Sequence, residues 1–394
     1  MINERMYALG DAPNKIREIF AYGLDRKAEI GEDKVFDLSI GNPSVPSPPE
    51  IDRTIAELAA NSDGTIHSYT PSPGLAWVRA AIADNLNARF GTSYGADNLY
   101  LTSGASSAIA ICCMAIALPG EEVIANTPYF PEYRTWTENA GARCVEVPTR
   151  ASDFQLDIDA LGAAINEKTA AVIINSPNNP VGSIYSDENL EALAALLTER
   201  SREYGHDIYL ISDEPYRELV YGGKPPAWVP DLYPATLVCY SWSKSFSLPG
   251  ERIGYVLVPD TMPECERVYK AVCGGGRTLG YICDSTLFQT VIGTCVNAPV
   301  DIEPYARNRK LLCEGLDAIG YTYIEPQGAF YLWVKALEDD ADAFCERAKD
   351  FELLLVPSTC FRAPGWVRIG YCASEETIKG ALGAFEALYK SYQG

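Results

Sequence analysis

Lys244 stands among hydroxyl groups, in Ser241-Trp242-Ser243-Lys244-Ser245-Phe246-Ser247, with Arg252 eight residues further on and apolar residues between. A lysine leaving a buried strand is partly desolvated, which lowers its pKa and frees the amine to attack a carbonyl. Serines and an arginine beside it are what a phosphate needs. A surface lysine and arginine on a serine-rich loop would show the same spacing, so this stretch alone leaves both readings open. Two more polar clusters lie upstream, Asn178-Asn179-Pro180 and Asp213-Glu214-Pro215-Tyr216. Taken singly, these are ordinary turn residues.

Each cluster follows an apolar run. Segments 122–125, 143–147, 170–175, 208–212, 236–240 and 252–258 read as strands, and Leu190, Leu193, Ala194 and Leu197 recur at helical spacing after Asp187 and Glu188. Continuous apolar strands alternating with helices predict an α/β fold, a mainly parallel sheet covered by helices on both faces. The polar clusters then sit just past the C-terminal ends of three successive strands, the edge where open α/β sheets bind ligands. From about residue 300 the pattern changes to a smaller α+β unit, with strands at 331–334, 353–356 and 366–371 and helices at 307–316 and 375–392. The expected organisation is an N-terminal segment, 1–46, packing on the small domain, a large domain, 47–295, and the small domain, 296–394.

Composition narrows the function. The chain has 394 residues, 47% of them hydrophobic, enough for a large core. A formal charge of −21 argues against a nucleic-acid partner, so an anionic ligand must be held by a local site against the global field. The run 108–118 is too short to span a bilayer, and the polar N-terminus lacks the apolar core of a signal peptide. Twelve scattered cysteines with no C-x-x-C pair, and two histidines, give no metal-ligand spacing. They read as buried thiols in a reducing cytoplasm.

The lysine segment resembles the signature of class I/II aminotransferases, the pyridoxal-phosphate enzymes of the aspartate aminotransferase fold (fold type I). Further family markers occur in order over nearly the whole chain: Ile40-Gly41-Asn42-Pro43, Tyr69, Thr102-Ser103-Gly104-Ala105-Ser106, Pro128-Tyr129-Phe130, Asn178-Asn179-Pro180-Val181-Gly182, Asp213-Glu214-Pro215-Tyr216 and Arg368. The resemblance implies that Lys244 forms the internal aldimine with pyridoxal 5'-phosphate and then moves the α-proton. It implies that Asp213 keeps the pyridine nitrogen protonated, that Asn179 and Tyr216 bond the phenolic oxygen, and that Phe130, rather than its neighbour Tyr129, stacks on the ring. Gly104, Ala105 and Ser106, opening a buried helix, would bind the phosphate together with Ser241, Ser243 and Arg252. Tyr69 would reach the phosphate of a neighbouring subunit, which implies a homodimer. Arg368 would clamp the substrate α-carboxylate, with Gly41 and Asn179 beside the substrate.

The implied activity is transfer of an amino group between an L-amino acid and a 2-oxo acid by a ping-pong cycle. A C–S β-lyase or amino-acid decarboxylase on the same fold would retain Lys244, Asp213, Asn179 and Tyr216. A ligand-sensing regulator would need a DNA-binding domain, and only 40 residues precede Gly41. The sequence departs from the family pattern at Val181, at Ser245 and at Ser247. The segment Cys273-Gly274-Gly275-Gly276-Arg277-Thr278-Leu279-Gly280 does not match the dinucleotide spacing G-x-G-x-x-G. By its position, Arg277 is a candidate for the distal carboxylate of an acidic substrate.

Overall fold

The computed structural model describes residues 1–222 and 225–393. The chain divides into two compact units: one is Asn42–Pro304 with Gln327–Ala329, the other Met1–Gly41, Tyr305–Pro326 and Phe330–Gly394.

The larger unit is built on seven strands: β1 (Leu99–Thr102), β2 (Glu122–Thr127), β3 (Arg143–Pro148), β4 (Thr169–Asn175), β5 (Tyr209–Asp213), β6 (Thr236–Ser241) and β7 (Gly254–Leu257). Their order is β1-β7-β6-β5-β4-β2-β3. The pairs β6/β5, β5/β4, β4/β2 and β2/β3 are parallel, while β7 runs antiparallel to both β6 and β1. All seven residues of β4 are buried, and they serve two faces. Ile173 packs with Ile109 and Ile111 on one side, whereas Val172 and Ile174 pack with Leu190, Leu193 and Leu197 on the other. Each such side chain contributes roughly 1.5–3 kcal/mol when fully buried. The mainly parallel, doubly covered sheet expected from the sequence is therefore present.

One strand of this unit departs from the sequence reading. The strand expected at 252–258 begins only at Gly254, because Arg252 has φ +55°, a left-handed conformation that breaks an extended run. The glycine-rich segment is not a nucleotide loop but part of a helix. In order, the helices that position the site are α1 (Gly104–Ile116), α2 (Glu132–Asn139), α3 (Asp187–Tyr204), α4 (Trp242–Ser245), α5 (Cys265–Thr278) and α6 (Thr286–Cys295). A Cβ at Gly275 would lie 2.8 Å from the Ile111 carbonyl oxygen, and one at Gly276 would strike the Tyr100 hydroxyl. Gly275 lets α5 lie directly on α1, and Gly276 makes room for Tyr100 of β1.

The smaller unit holds a four-strand antiparallel sheet of β8 (Tyr323–Ile324), β9 (Tyr331–Lys335), β10 (Val356–Pro357) and β11 (Trp366–Gly370), in the order β10-β11-β9-β8. Helices Lys15–Ile30, Ala341–Lys349 and Glu375–Ser391 belong to the same unit. The single strand read at 353–356 is split. Leu353–Leu354 pair in parallel with Phe36–Asp37, and Val356–Pro357 pair with β11. The first partner lies more than 300 residues away in sequence, out of reach of any local pattern. No helix among the described residues is long and apolar enough to cross a membrane. Among the described residues the twelve cysteines form no disulfide, and eight of them are buried.

Candidate active site

Asp213 ends β5, paired in register with Cys239 of β6, two residues before Ser241. The parallel pairing thus delivers Asp213 and the Lys244 segment to the same sheet edge. Asp213 is buried, and Tyr133 of α2 donates its hydroxyl to Oδ2 at 2.5 Å. Its Oδ1 is also buried but has no partner among the described residues. Burial pushes the Asp213 carboxyl up to about 7; the Tyr133 hydrogen bond pulls it down, and the Glu214 charge adds to the rise. The Tyr133 phenol is raised well above its ordinary value, first by burial and then by Asp213.

The turn after β4 is locked to the same strand end. Asn175 donates its Nδ2 to the Asp213 carbonyl at 2.8 Å and accepts from the Asn179 backbone N–H at 2.7 Å. The Asn178 side chain accepts from the Val181 N–H at 3.0 Å. Asn179 and Tyr216 are both buried. Tyr129 is buried too, stacks on Tyr133 at 6.0 Å and donates its phenol to Glu146 at 2.7 Å. Phe130 is only partly buried, with its ring edge-on to Tyr133 at 6.0 Å.

Lys244 lies in the short helix α4, between buried Ser243 and Ser245, and is itself half-buried. Ser241 caps this helix: its Oγ accepts from the Ser243 N–H at 3.1 Å and lies 2.6 Å from Ser243 Oγ. Helix α1 starts at Gly104, φ +82°, and no side chain caps it. Its first N–H groups and the positive end of its dipole, at Gly104, Ala105 and Ser106, are therefore open to an anion. Arg252 Nη2 donates to the Ser103 carbonyl at 3.2 Å, and a Cβ at Gly104 would come within 2.7 Å of that nitrogen. Only glycine allows the guanidinium to lie so close to this helix end. The result is a cradle of donors suited to a phosphate.

In the smaller unit, Arg368 on β11 is buried, and its Nη2 donates to the Ser39 carbonyl at 2.6 Å. Its guanidinium lies over the Tyr331 ring at 4.5 Å and the Phe361 ring at 4.9 Å. A Cβ at Gly41 would overlap the Tyr331 hydroxyl. Tyr69 is 96% exposed on a loop anchored to α6, where Thr286 Oγ1 donates to the Ser68 carbonyl at 2.6 Å and Gln289 Nε2 donates to Thr70 Oγ1 at 3.1 Å. Arg277 is exposed in the last turn of α5.

Sequence reasoning missed two participants. Tyr133 is one; its position three residues after Phe130, just inside a helix, was the available signal. The other is Asp284, whose Oδ1 accepts from Ser103 Oγ at 3.3 Å at the start of α1. A separation of 181 residues hid that contact.

Comparison with known proteins agrees with this geometry. The family described as "Aminotransferase class I and II" matches residues 33–385. An aminotransferase structure from Eubacterium rectale is 51% identical, covers 100% of both chains and superposes with a TM-score of 0.97. The aspartate aminotransferase of Thermus thermophilus, solved with maleate, covers 98% of this chain and 99% of its own at 30% identity and a TM-score of 0.87. Among curated relatives, the aspartate/prephenate aminotransferase of Thermus thermophilus is 33% identical over 361 residues, 88% of this chain and 89% of that protein. The aspartate aminotransferase of Thermotoga maritima is 32% identical over 378 residues, 93% of this chain and 96% of that protein. With this sheet, this strand edge and these matches, the chain belongs to the class I and II aminotransferases, with the aspartate aminotransferase fold, and is an aminotransferase.

Proposed function

We propose that this chain binds pyridoxal 5'-phosphate on the β5–β6 edge and uses it to exchange an amino group between an L-amino acid and a 2-oxo acid in two half-reactions. The observation that carries the reading is Asp213, a buried carboxylate with one oxygen held by Tyr133 and the other without a partner among the described residues. Such an oxygen is an acceptor waiting for a donor, and a protonated pyridine nitrogen is a donor of the right charge. When bound, the cofactor supplies the electron sink that makes the substrate α-proton acidic. Lys244 would hold the cofactor through Nζ, and the same Nζ would accept and return the α-proton.

Asp213 Oδ1 would accept from the ring nitrogen, and the opposing positive charge would favour its ionised form. Asn179 and Tyr216 are assigned to the phenolic oxygen. Phe130, the aromatic of its pair with exposed ring surface, is assigned to the ring face. The open start of α1 at Gly104, Ala105 and Ser106, with Ser241, Ser243 and Arg252, is assigned to the phosphate. Arg368 is assigned to the substrate α-carboxylate as a planar bidentate donor, with Gly41 beside the substrate. The exposed Tyr69 supports a homodimer in which this residue reaches the neighbouring subunit's phosphate.

Lys244→Ala removes both the attachment point and the proton carrier. Turnover should fall at least about a thousandfold, because general acid–base and nucleophilic roles are lost together. The assay is formation of the 2-oxo acid from a panel of donors with 2-oxoglutarate, aspartate first, as the relatives' names suggest. A variant within tenfold of wild type would refute the assignment. Release of pyruvate and ammonia without a 2-oxo acceptor would mark a lyase instead.

A further inference from the structure

We propose that Asp284 belongs to the phosphate cradle and takes up a proton when a phosphate dianion enters it. The inference rests on the cofactor reading above. Asp284 immediately precedes Ser285, the cap of α6. Its Oδ1 accepts from the Ser285 N–H at 2.8 Å and from Ser103 Oγ at 3.3 Å. Its carbonyl accepts from the fully buried Gln289 at 2.9 Å, which fixes the backbone here. Ser103 is also the residue whose carbonyl receives Arg252, one position before Gly104. The carboxyl group therefore stands at the mouth of the cradle. Its Oδ2 is buried and, among the described residues, has no partner.

A carboxylate there is an electrostatic anomaly. The neighbouring groups at this helix end are donors or a cation. Asp284 instead sets a second negative charge beside the place where a phosphate would sit. The ionisable groups facing it are Arg252 from the turn before β7 and Tyr100 from β1. No ion pair reaches Asp284 among the described residues. Two adjacent anions disfavour each other's charged forms. A protonated Asp284 would remove that repulsion and turn an orphaned acceptor into a donor for a phosphate oxygen. The structure already leans this way: burial pushes the Asp284 carboxyl up to about 6, opposed by the hydrogen bonds from Ser285 and Ser103 and by Arg252.

Cofactor binding should therefore weaken as pH rises. Below about pH 6 the carboxyl is already neutral, and binding needs no proton. Above it, each pH unit adds up to a tenfold penalty for the proton that must be taken up. Asparagine imitates the neutral carboxyl at every pH.

The test compares holoenzyme of the wild type, Asp284→Asn and Asp284→Glu, dialysed to equilibrium against graded pyridoxal 5'-phosphate, with bound cofactor read by absorbance. At pH 6 the wild type and Asp284→Asn should have dissociation constants within about threefold of each other. At pH 8 the wild type should bind about tenfold or more weakly than Asp284→Asn, and Asp284→Glu should follow the wild type. Titration calorimetry in two buffers of different ionisation enthalpy should show about one more proton taken up by the wild type than by Asp284→Asn near pH 7.5. A ratio that does not change with pH, or equal proton uptake, overturns the assignment while leaving the cofactor reading intact. A wild type that acquires no cofactor absorbance at all removes both.

Discussion

Asp213 and Glu214 are adjacent in the chain and equally buried, yet they have opposite surroundings. Both oxygens of Glu214 are met: Ser212 Oγ donates to Oε1 at 2.6 Å, and Arg217 Nε donates to Oε2 at 2.6 Å. Arg217 is held in turn, with Nη1 on the Tyr255 hydroxyl at 3.1 Å and the guanidinium over the Tyr240 ring at 4.7 Å and the Trp228 ring at 4.9 Å. Glu214 is thus a closed structural joint, compensated by charge and hydrogen bonds. Asp213 has one neutral donor and one bare oxygen, and its proton affinity rises accordingly. A buried carboxylate with both oxygens answered holds a fold together. One left half-answered destabilises the empty protein and marks where something else must bind.

Substitution at Asp213 should disturb this contrast most. The folded-state pKa of Asp213 is raised, so its contribution to stability is complete below its unfolded value and is lost as pH rises through about 7. In cofactor-free protein, Asp213→Asn should therefore be more stable than wild type by about 4 kcal/mol at pH 8, by only about 1.5 kcal/mol at pH 5, and nearly equal to it below about pH 4. Urea unfolding at the two pH values checks this, and equal stability at pH 8 would count against the half-answered carboxylate. Glu214→Gln should do the reverse, losing roughly 3 kcal/mol because it leaves the Arg217 charge buried without its counter-ion. Urea unfolding reads this loss too, and holoenzyme of this variant should keep the wild-type cofactor spectrum. The smallest effect is expected from Tyr133→Phe, about 1–2 kcal/mol. Because the Tyr133 hydrogen bond lowers the Asp213 pKa, its removal should move the midpoint of the stability–pH curve upward, above about 7. A midpoint that stays in place would mean the phenol does not bear on Asp213.

Much of this arrangement is legible in the sequence because it is local. Apolar β-branched runs mark β4, β5 and β6, and the polar turns that follow them announce the sheet edge where Asp213 and Lys244 meet. The lysine segment with its serines and arginine is a contiguous string. The unread parts depend on distance or on a single dihedral. Leu353–Leu354 part from Val356–Pro357 because Phe36–Asp37, at the other end of the chain, offers a partner. β7 begins late because Arg252 adopts a left-handed turn that no spacing rule anticipates. Tyr133 and Asp284 look like ordinary helix and loop residues until folding sets them against Asp213 and Ser103. The glycine triplet at 274–276 was visible as a string, but the close approach of Gly275 to α1 and of Gly276 to Tyr100 was not.

The middle glycine of that triplet sets a limit on the start of α1. At Gly275 the backbone of α5 lies directly against the Ile111 carbonyl of α1, and the two helices cannot shift there without opening a gap or forcing a collision. The anion-facing tip of α1 therefore inherits its position from a featureless contact further along the same rod. A single added methyl at residue 275 should therefore be felt at the start of α1, although residue 275 itself lies against Ile111 and Met114.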